Sequence, residues 1–272
     1  MGMLTELHPL PAWIRYIKNR IERNKNFLVF FEGQTGSGKS YSSLSVAEML
    51  DPRFNENNIV FTVKELMDLI NGGTLKKGSV IIFEEAGVEL FNKNWQSMVN
   101  KVMSFLVQTF RHRNYILIMN APQFGFLDKG IRTMFHAVWK SKKIDFEKRK
   151  CHTKPLLIEY NAERDKFYKK FLIINDSKQR RRTMKIKNWK IPAPSEEMLE
   201  KYEAKKLDFT IKLNERISTE IQASQKKTEK KPRPLWRCKK CSKQWRPYNP
   251  VPDTCRRDGC QSDDFEKVKE EK

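Results

Sequence analysis

Apolar side chains recur every three or four residues between positions 10 and 25. Trp13, Ile14, Ile17 and Ile21 share one face, which predicts an amphipathic helix. The pattern then switches. Phe27 to Phe31 is an unbroken apolar run of the kind that fills a central parallel strand covered on both faces. A glycine-rich loop follows, then a helix from about Lys39 to Leu50. Asn58 to Thr62 predicts a second strand. Thr62 and Glu65 form a capping-box pattern that opens a helix through Ile70, and Asn71-Gly72-Gly73 closes it. Ser79 to Phe83 predicts a third buried strand, and a helix from about Gln96 to Phe110 leads into a fourth, Tyr115 to Met119. Alternating strands and helices predict an α/β domain, a parallel sheet with helices on both faces.

Beyond about residue 140 the texture changes. Leu156 to Tyr160 and Phe167 to Ile174 predict a two-stranded hairpin around Asn161-Ala162-Glu163-Arg164. Residues 177 to 190, SKQRRRTMKIKNWK, hold seven basic residues and no acidic one. Residues 195 to 225 read as a charged helix, Lys226 to Pro234 as a polar linker, and the rest as a cysteine-bearing module. The expected organisation is an N-terminal helix (1–26), a core with the hairpin (27–176), a basic segment, helix and linker (177–234), and the module (235–272).

Charge sharpens this division. The 272 residues carry 54 Lys and Arg against 33 Asp and Glu, a net +21. Residues 1–140 account for 17 and 12 of these, so most of the excess lies in the attachments. Such an excess predicts a polyanionic partner, nucleic acid before membrane; duplex DNA is the form expected if the chain is a DNA translocase. No apolar run approaches the roughly 20 residues that span a bilayer. The N-terminus shows neither a signal-peptide nor a myristoylation pattern. With four of five cysteines clustered near the C-terminus, a reducing cytoplasm and a bound metal are expected rather than disulfides.

The chemistry starts at the glycine-rich loop. Gly33, Gln34, Thr35, Gly36, Ser37, Gly38, Lys39 and Ser40 match G-x-x-x-x-G-K-[ST] in full. Backbone N–H groups of such a loop close around phosphate oxygens, and the helix that follows turns its positive end toward them. Lys39 is expected to reach the β- and γ-phosphates of ATP and Ser40 to ligate Mg²⁺, with Tyr41 beside the nucleotide. Glu84 and Glu85 end the apolar run Val80 to Phe83, where a strand delivers them to the same edge of the sheet. Glu84 is expected to hold Mg²⁺ through water and Glu85 to polarise the attacking water. Kinases of small metabolites usually lack the second acid, so hydrolysis is favoured over transfer. Gln123, and after it Asn120, are the polar residues past the fourth strand suited to sensing the γ-phosphate.

The P-loop, the acidic pair, Arg111-His112-Arg113 before a strand, and the run Gln123…Asp128…Ile131-Arg132 together resemble the FtsK–HerA superfamily of DNA-pumping ATPases. Within it, the size resembles virus- or plasmid-encoded genome-packaging ATPases and zonular-occludens-toxin-like ATPases. The resemblance spans residues 27 to about 140. It implies a RecA/ASCE-like P-loop NTPase fold and a hexameric ring whose sites are completed by a neighbour's arginine, with Arg111, Arg113 and Arg132 as candidates. It also implies a capsid or other viral partner and, for a viral protein, the host cytoplasm. The family usually has Asp-Glu where this chain has Glu84-Glu85, and the toxin-like branch often has a membrane-spanning segment not evident here.

Cys238-x₂-Cys241-x₁₃-Cys255-x₄-Cys260 has the two-knuckle spacing of a zinc ribbon. Four thiolates fill a tetrahedral Zn²⁺ and leave no open position, so a structural site is expected. Cys151 stands apart and reads as an ordinary free cysteine. The leading expectation is therefore an ATP-driven DNA translocase or packaging motor. The alternatives are an ATP-dependent DNA-binding switch or loader, and an assembly or secretion ATPase acting on protein.

Overall fold

A computed structural model describes residues 10–84, 110, 112–175, 183–228, 235–246, 254–255, 257 and 259–268. The helix expected over residues 96 to 110 falls outside these apart from Phe110, which is buried. So do Glu85, Arg111 and Arg180 to Arg182.

The chain forms two compact units, Met1–Phe209 and Thr210–Lys272. The first is built on strands β1 (Phe27–Glu32), β2 (Ile59–Val60), β3 (Val80–Phe83), β4 (Ile116–Ala121), β5 (Ala137–Asp145), β6 (Lys150–Asn161), β7 (Lys166–Lys170) and β10 (Trp189–Pro192). They form one sheet in the order β10-β6-β5-β1-β4-β3-β2, with β7 on β6. Strands β1 to β5 run parallel where they pair. β6, β7 and β10 extend the sheet antiparallel. The sheet is thus mostly parallel, consistent with a P-loop-like fold, and not wholly parallel as the alternation predicts. A separate two-stranded sheet joins β8 (Leu172–Asn175) and β9 (Thr183–Ile186). The expected single strand Phe167 to Ile174 is therefore two, divided at Phe171.

Helices cover both faces. On one, α1 (Ala12–Glu22) and α2 (Lys39–Leu50) pack over the odd-numbered side chains Phe27, Val29 and Phe31 of β1. On the other, α3 (Val63–Asn71) packs over the even-numbered Leu28 and Phe30. This follows from the period of two along a strand: a run apolar at every position has two faces to bury. α3 opens on the expected capping box, with Thr62 Oγ1 accepting from Glu65 N at 3.1 Å and Glu65 Oε2 accepting from Thr62 N at 3.3 Å.

β5 is absent from the sequence reading. Only its first three residues are fully buried, and lysines occupy much of the rest. Yet Trp139 on this strand is the aromatic hub of one core, edge-on to Trp13, Phe31 and Trp189 at centroid distances of 5.5, 5.8 and 5.1 Å. Through Trp189 and Ile191, both buried on β10, the last part of the expected basic segment belongs to this core. So does the start of the long helix α5 (Glu196–Thr228), which the short helix α4 (Lys129–Arg132) precedes. Met198 and Tyr202 are buried there, and Phe209 stacks on Phe61 at 4.6 Å. The boundary between the two compact units falls inside α5.

The second unit contains the rest of α5 and a small antiparallel sheet of β11 (Trp236–Cys238), β12 (Gln244–Trp245) and β13 (Phe265–Lys267), in the order β12-β11-β13. Among the described residues, no helix is long and apolar enough to cross a membrane.

His136, just before β5, stacks on Phe27 and accepts the Leu28 N–H on Nδ1 at 3.0 Å. Burial, helped by nearby Arg20, lowers its pKa to about 3, so the folded protein keeps it neutral. The unfolded chain takes up this proton near pH 6.5. The resulting stability is full above that value and is lost as pH falls toward 3. Thermal or urea unfolding between pH 7 and 4 is expected to show wild type losing stability faster than His136→Asn. The difference in slope should reach about 1 kcal/mol per pH unit, and equal slopes would exclude this role for His136.

Candidate nucleotide site

β1 ends at Glu32, and the chain turns through Gly33 to Gly38 into α2 at the C-terminal edge of the sheet. Two glycines are required by contact. A Cβ on Gly33 would lie 2.6 Å from Ser37 Oγ. Gly38 has φ +85°, and a Cβ there would meet Ile144 at 3.1 Å and Cys151 Sγ at 3.5 Å. Gly38 is also the N-cap of α2, so the first-turn N–H groups of that helix emerge at the loop. Lys39 folds back across it, its Nζ donating to Gly33 O and Gln34 O, both at 2.8 Å. Thr35 and Gly36 form the exposed crest of the turn.

Beneath the loop runs a hydrogen-bonded chain of side chains. Ser40 Oγ donates to Glu84 Oε2 at 3.1 Å. Asn120 Nδ2 donates to Glu84 Oε1 at 2.6 Å, and Ser43 Oγ donates to Asn120 Oδ1 at 2.8 Å. Glu84 and Asn120 are each 1% exposed and Ser43 is fully buried. The strand order explains the chain. β4 lies between β1 and β3, so Asn120 at its end spans the gap between the P-loop helix and the carboxylate ending β3. Ser40 and Glu84 offer hard oxygen donors side by side, the set that suits Mg²⁺.

Asn120, the second candidate for phosphate sensing, is instead turned inward with both ends of its amide engaged. Gln123 is exposed, at the start of a short 3-10 turn past β4. Tyr41 stands on the rim, 40% exposed, its hydroxyl donating to Glu203 Oε1 at 2.9 Å. Its pKa is raised, by burial first and then by Glu203. Arg113 precedes β4 at the opposite edge of the sheet, with Nη1 3.5 Å from Tyr115 Oη. A strand of six residues is roughly 20 Å long, so Arg113 is remote from its own P-loop. Arg132 lies with its guanidinium 5.6 Å from the Phe167 ring centre.

Three contributors were not legible beforehand. Ser43 is one turn of helix past the motif. Ser141 donates to Ser37 O, and Cys151 Sγ donates to the same carbonyl at 3.6 Å. Cys151, read as an ordinary free cysteine, is therefore part of the wall that supports the loop. The spacing of the P-loop motif ends before Ser43 and carries no signal for Ser141 and Cys151, which arrive from strands more than 100 residues away.

In the second unit the four cysteines meet as expected. All four Sγ atoms lie within 4.8 Å of one another, with Cys238–Cys260 at 3.8 Å and Cys241–Cys255 at 3.5 Å. Tetrahedral zinc at about 2.3 Å from each sulfur sets its thiolates about 3.8 Å apart, so the cluster is compatible with zinc. The thiols differ in acidity. Burial opposes ionisation of Cys238, but backbone N–H groups of Cys241 and Lys240 outweigh it and bring its pKa down to about 6. Burial and the neighbouring thiols push Cys255 up to about 12. A divalent cation is what allows such a group to ionise together.

Two adjacent serines should respond in opposite ways. Ser43→Ala leaves Asn120 Oδ1 buried without its donor and is expected to cost about 1–3 kcal/mol in urea unfolding. Ser42 Oγ makes no hydrogen bond among the described residues, so Ser42→Ala should be neutral or stabilising, because alanine is the better helix former. Equal effects would show that the buried chain does not hold the site together. For the second unit, Cys238→Ser or Cys255→Ser should abolish stoichiometric zinc by metal analysis. Truncation before residue 235 should leave the melting transition of the first unit in place; a lowered transition would make the module part of that fold.

No family model matches the chain, and no curated protein does. Among solved structures it is similar to the N-terminal domain of zonular occludens toxin from Neisseria meningitidis. The identity is 13%, over 57% of this chain and 96% of that one, with a TM-score of 0.28. So loose a superposition carries no weight on activity, which rests on the site itself.

Proposed function

We propose that this protein is an ATP-hydrolysing motor that moves or packages DNA as an oligomeric ring of RecA/ASCE-like subunits. The observation that carries the ATPase reading is the 3.1 Å hydrogen bond between Ser40 and the buried Glu84 at the mouth of a full P-loop. In this reading Lys39 exchanges the Gly33 and Gln34 carbonyls for β- and γ-phosphate oxygens, and the α2 N–H groups cradle the rest. Ser40 and Glu84 hold Mg²⁺, directly or through water. The bound metal neutralises charge on those oxygens. Asn120 and Ser43 fix the Glu84 carboxylate, and Glu85, next in the chain, orients and polarises the attacking water. Arg113, at the far edge of its own sheet, would serve only a neighbouring subunit's site.

The DNA part rests on charge. Beside the net +21, a groove of about 330 Å³ is lined by Lys142, Lys143, His152, Lys154, Lys187 and Asn188, on the antiparallel side of the sheet. Such a surface suits a phosphate backbone without reading bases. The zinc module would add affinity through its own lysines and arginines, as a second attachment on one chain.

The deciding experiment is the steady-state ATPase rate with duplex DNA, single-stranded DNA, RNA or no nucleic acid, across a range of protein concentrations. Stimulation that grows with duplex length, and specific activity that rises with protein concentration, are expected. Glu85→Gln should keep ATP binding and lose about 10²-fold or more in turnover. Hydrolysis indifferent to nucleic acid would instead favour an assembly ATPase, and a concentration-independent monomer would end the ring.

A further inference from the structure

A cavity of about 410 Å³ lies in the first unit at the other end of α2 from the P-loop, and the chemistry above leaves it unused. The turn after α2 and the 3-10 turn Glu56–Asn58 form one side, and the segment that leads into β3 forms the other. Hydrogen bonds fix both sides. Asp51, the C-cap of α2 and 3% exposed, accepts from Arg53 N and Arg53 Nε on Oδ1, both at 3.0 Å, and from Val80 N on Oδ2 at 3.4 Å. Arg53 Nη2 donates across to Lys77 O at 3.3 Å, and Ser79 Oγ accepts the Lys76 N–H at 3.0 Å. Pockets for small ligands run to about 300–1,000 Å³, so this space takes a small molecule or the end of a peptide.

Three features define an occupant. The first is Asn58, which lines the cavity, is 7% exposed, and makes no side-chain hydrogen bond among the described residues. It is not among the sealed side-chain atoms that lack a partner, so its amide keeps accessible surface. Val60, two residues on, belongs to the core beneath α3 against which Leu69 and Leu75 pack. Those leucines also line the cavity, so Asn58 stands on their side of the sheet. A buried amide ordinarily has partners for both its carbonyl and its NH₂, and a peptide group supplies both. The second is charge. The charged residues on the walls are Asp51, Arg53 and Lys76, so two cations face one carboxylate. Arg53 balances Asp51, and Lys76 forms no ion pair among the described residues. One positive charge is left for one anionic group. The third is the apolar patch of Leu69 and Leu75.

We propose that this cavity binds the carboxyl end of a peptide whose last residue is apolar. The terminal carboxylate meets Lys76 and the guanidinium donors that Arg53 does not spend on Asp51 and Lys77 O. The peptide group behind it pairs with the Asn58 amide, and the last side chain lies on Leu69 and Leu75. Capture of a chain-terminal carboxylate by fixed donors is a general mode of peptide recognition. The inference stands apart from the ATPase reading, since no residue of the cavity belongs to the P-loop. The two sites share only α2, which has Gly38 at one end and Asp51 at the other.

The test is a titration by NMR of the full chain with N-acetylglycyl-leucine as the free acid, and with the same peptide ending in an amide. The acid is expected to bind with a Kd of about 1 mM or tighter, a scale normal for so small a ligand. Capping the carboxylate should weaken it about tenfold or more, the loss of a charge-assisted hydrogen bond. Lys76→Gln, at an exposed position, should cost a similar factor. Asn58→Leu should also weaken the acid, yet leave urea stability unchanged or raised, because it removes a buried amide that has no partner. Reduced stability with binding intact would make Asn58 a structural residue and overturn its role here; Lys76→Gln decides alone if that variant does not fold. Lys39→Ala at the P-loop and Lys154→Gln in the basic groove should leave peptide binding unchanged, and loss in either would place the peptide at those sites instead. No binding of the acid, equal binding of acid and amide, or displacement by equimolar inorganic phosphate would each overturn the proposal.

Discussion

The carboxylate of Glu84 ends an apolar strand and is almost wholly buried, and a group of this kind survives only if its oxygens are hydrogen-bonded. Leaving it unpaired would cost on the order of several kcal/mol. Its two oxygens are satisfied from different elements, Ser40 on α2 and Asn120 on β4. That requirement couples the rotation of the P-loop helix to the register of the central strands. Asn120 is committed in turn, because its carbonyl oxygen takes the Ser43 hydroxyl. The two serines stand three apart on α2 and so share a helix face. Ser40 thus reaches the carboxylate at the end of β3 and Ser43 the amide at the end of β4, and together they lock the helix to the sheet.

The antiparallel extension of the sheet gives the loop its second support. β5 and β6 bring Ser141 and Cys151 to the Ser37 carbonyl and Ile144 against Gly38. The same strands carry Trp139 inward and Lys142, Lys143 and Lys154 outward to the basic groove. One hairpin thus links the core, the P-loop and the basic groove. In the second unit, by contrast, three short strands offer few apolar side chains, with Trp245 edge-on to Phe265 at 5.4 Å as the main contact. Below about 40 residues a core alone is rarely enough, and the four clustered sulfurs are placed to supplement it if they hold a metal.

By itself the sequence determined the elements that rest on local rules. The apolar runs of β1, β3 and β4, the capping box at Thr62 and Glu65, the P-loop glycines and the cysteine spacing each state their structure within a window of a few residues. Their periods and turn preferences act over that distance. It also singled out Lys39, Ser40 and Glu84 by their types and places at strand and helix ends, and Ser40 and Glu84 are hydrogen-bonded in the fold. What only the tertiary structure decided lies across long separations. β5 was hidden because its lysine-rich outer half masks a strand whose inner half is core, and β10 because a run of basic residues conceals Trp189 and Ile191. Asn120, expected only as a polar residue suited to sensing the γ-phosphate, is buried against Glu84, since strand order alone brings β4 between β1 and β3. Cys151 acquired a place beneath the P-loop for the same reason. Hydrogen bonds and packing between strands depend on which edges meet, and no local pattern of side chains records that choice.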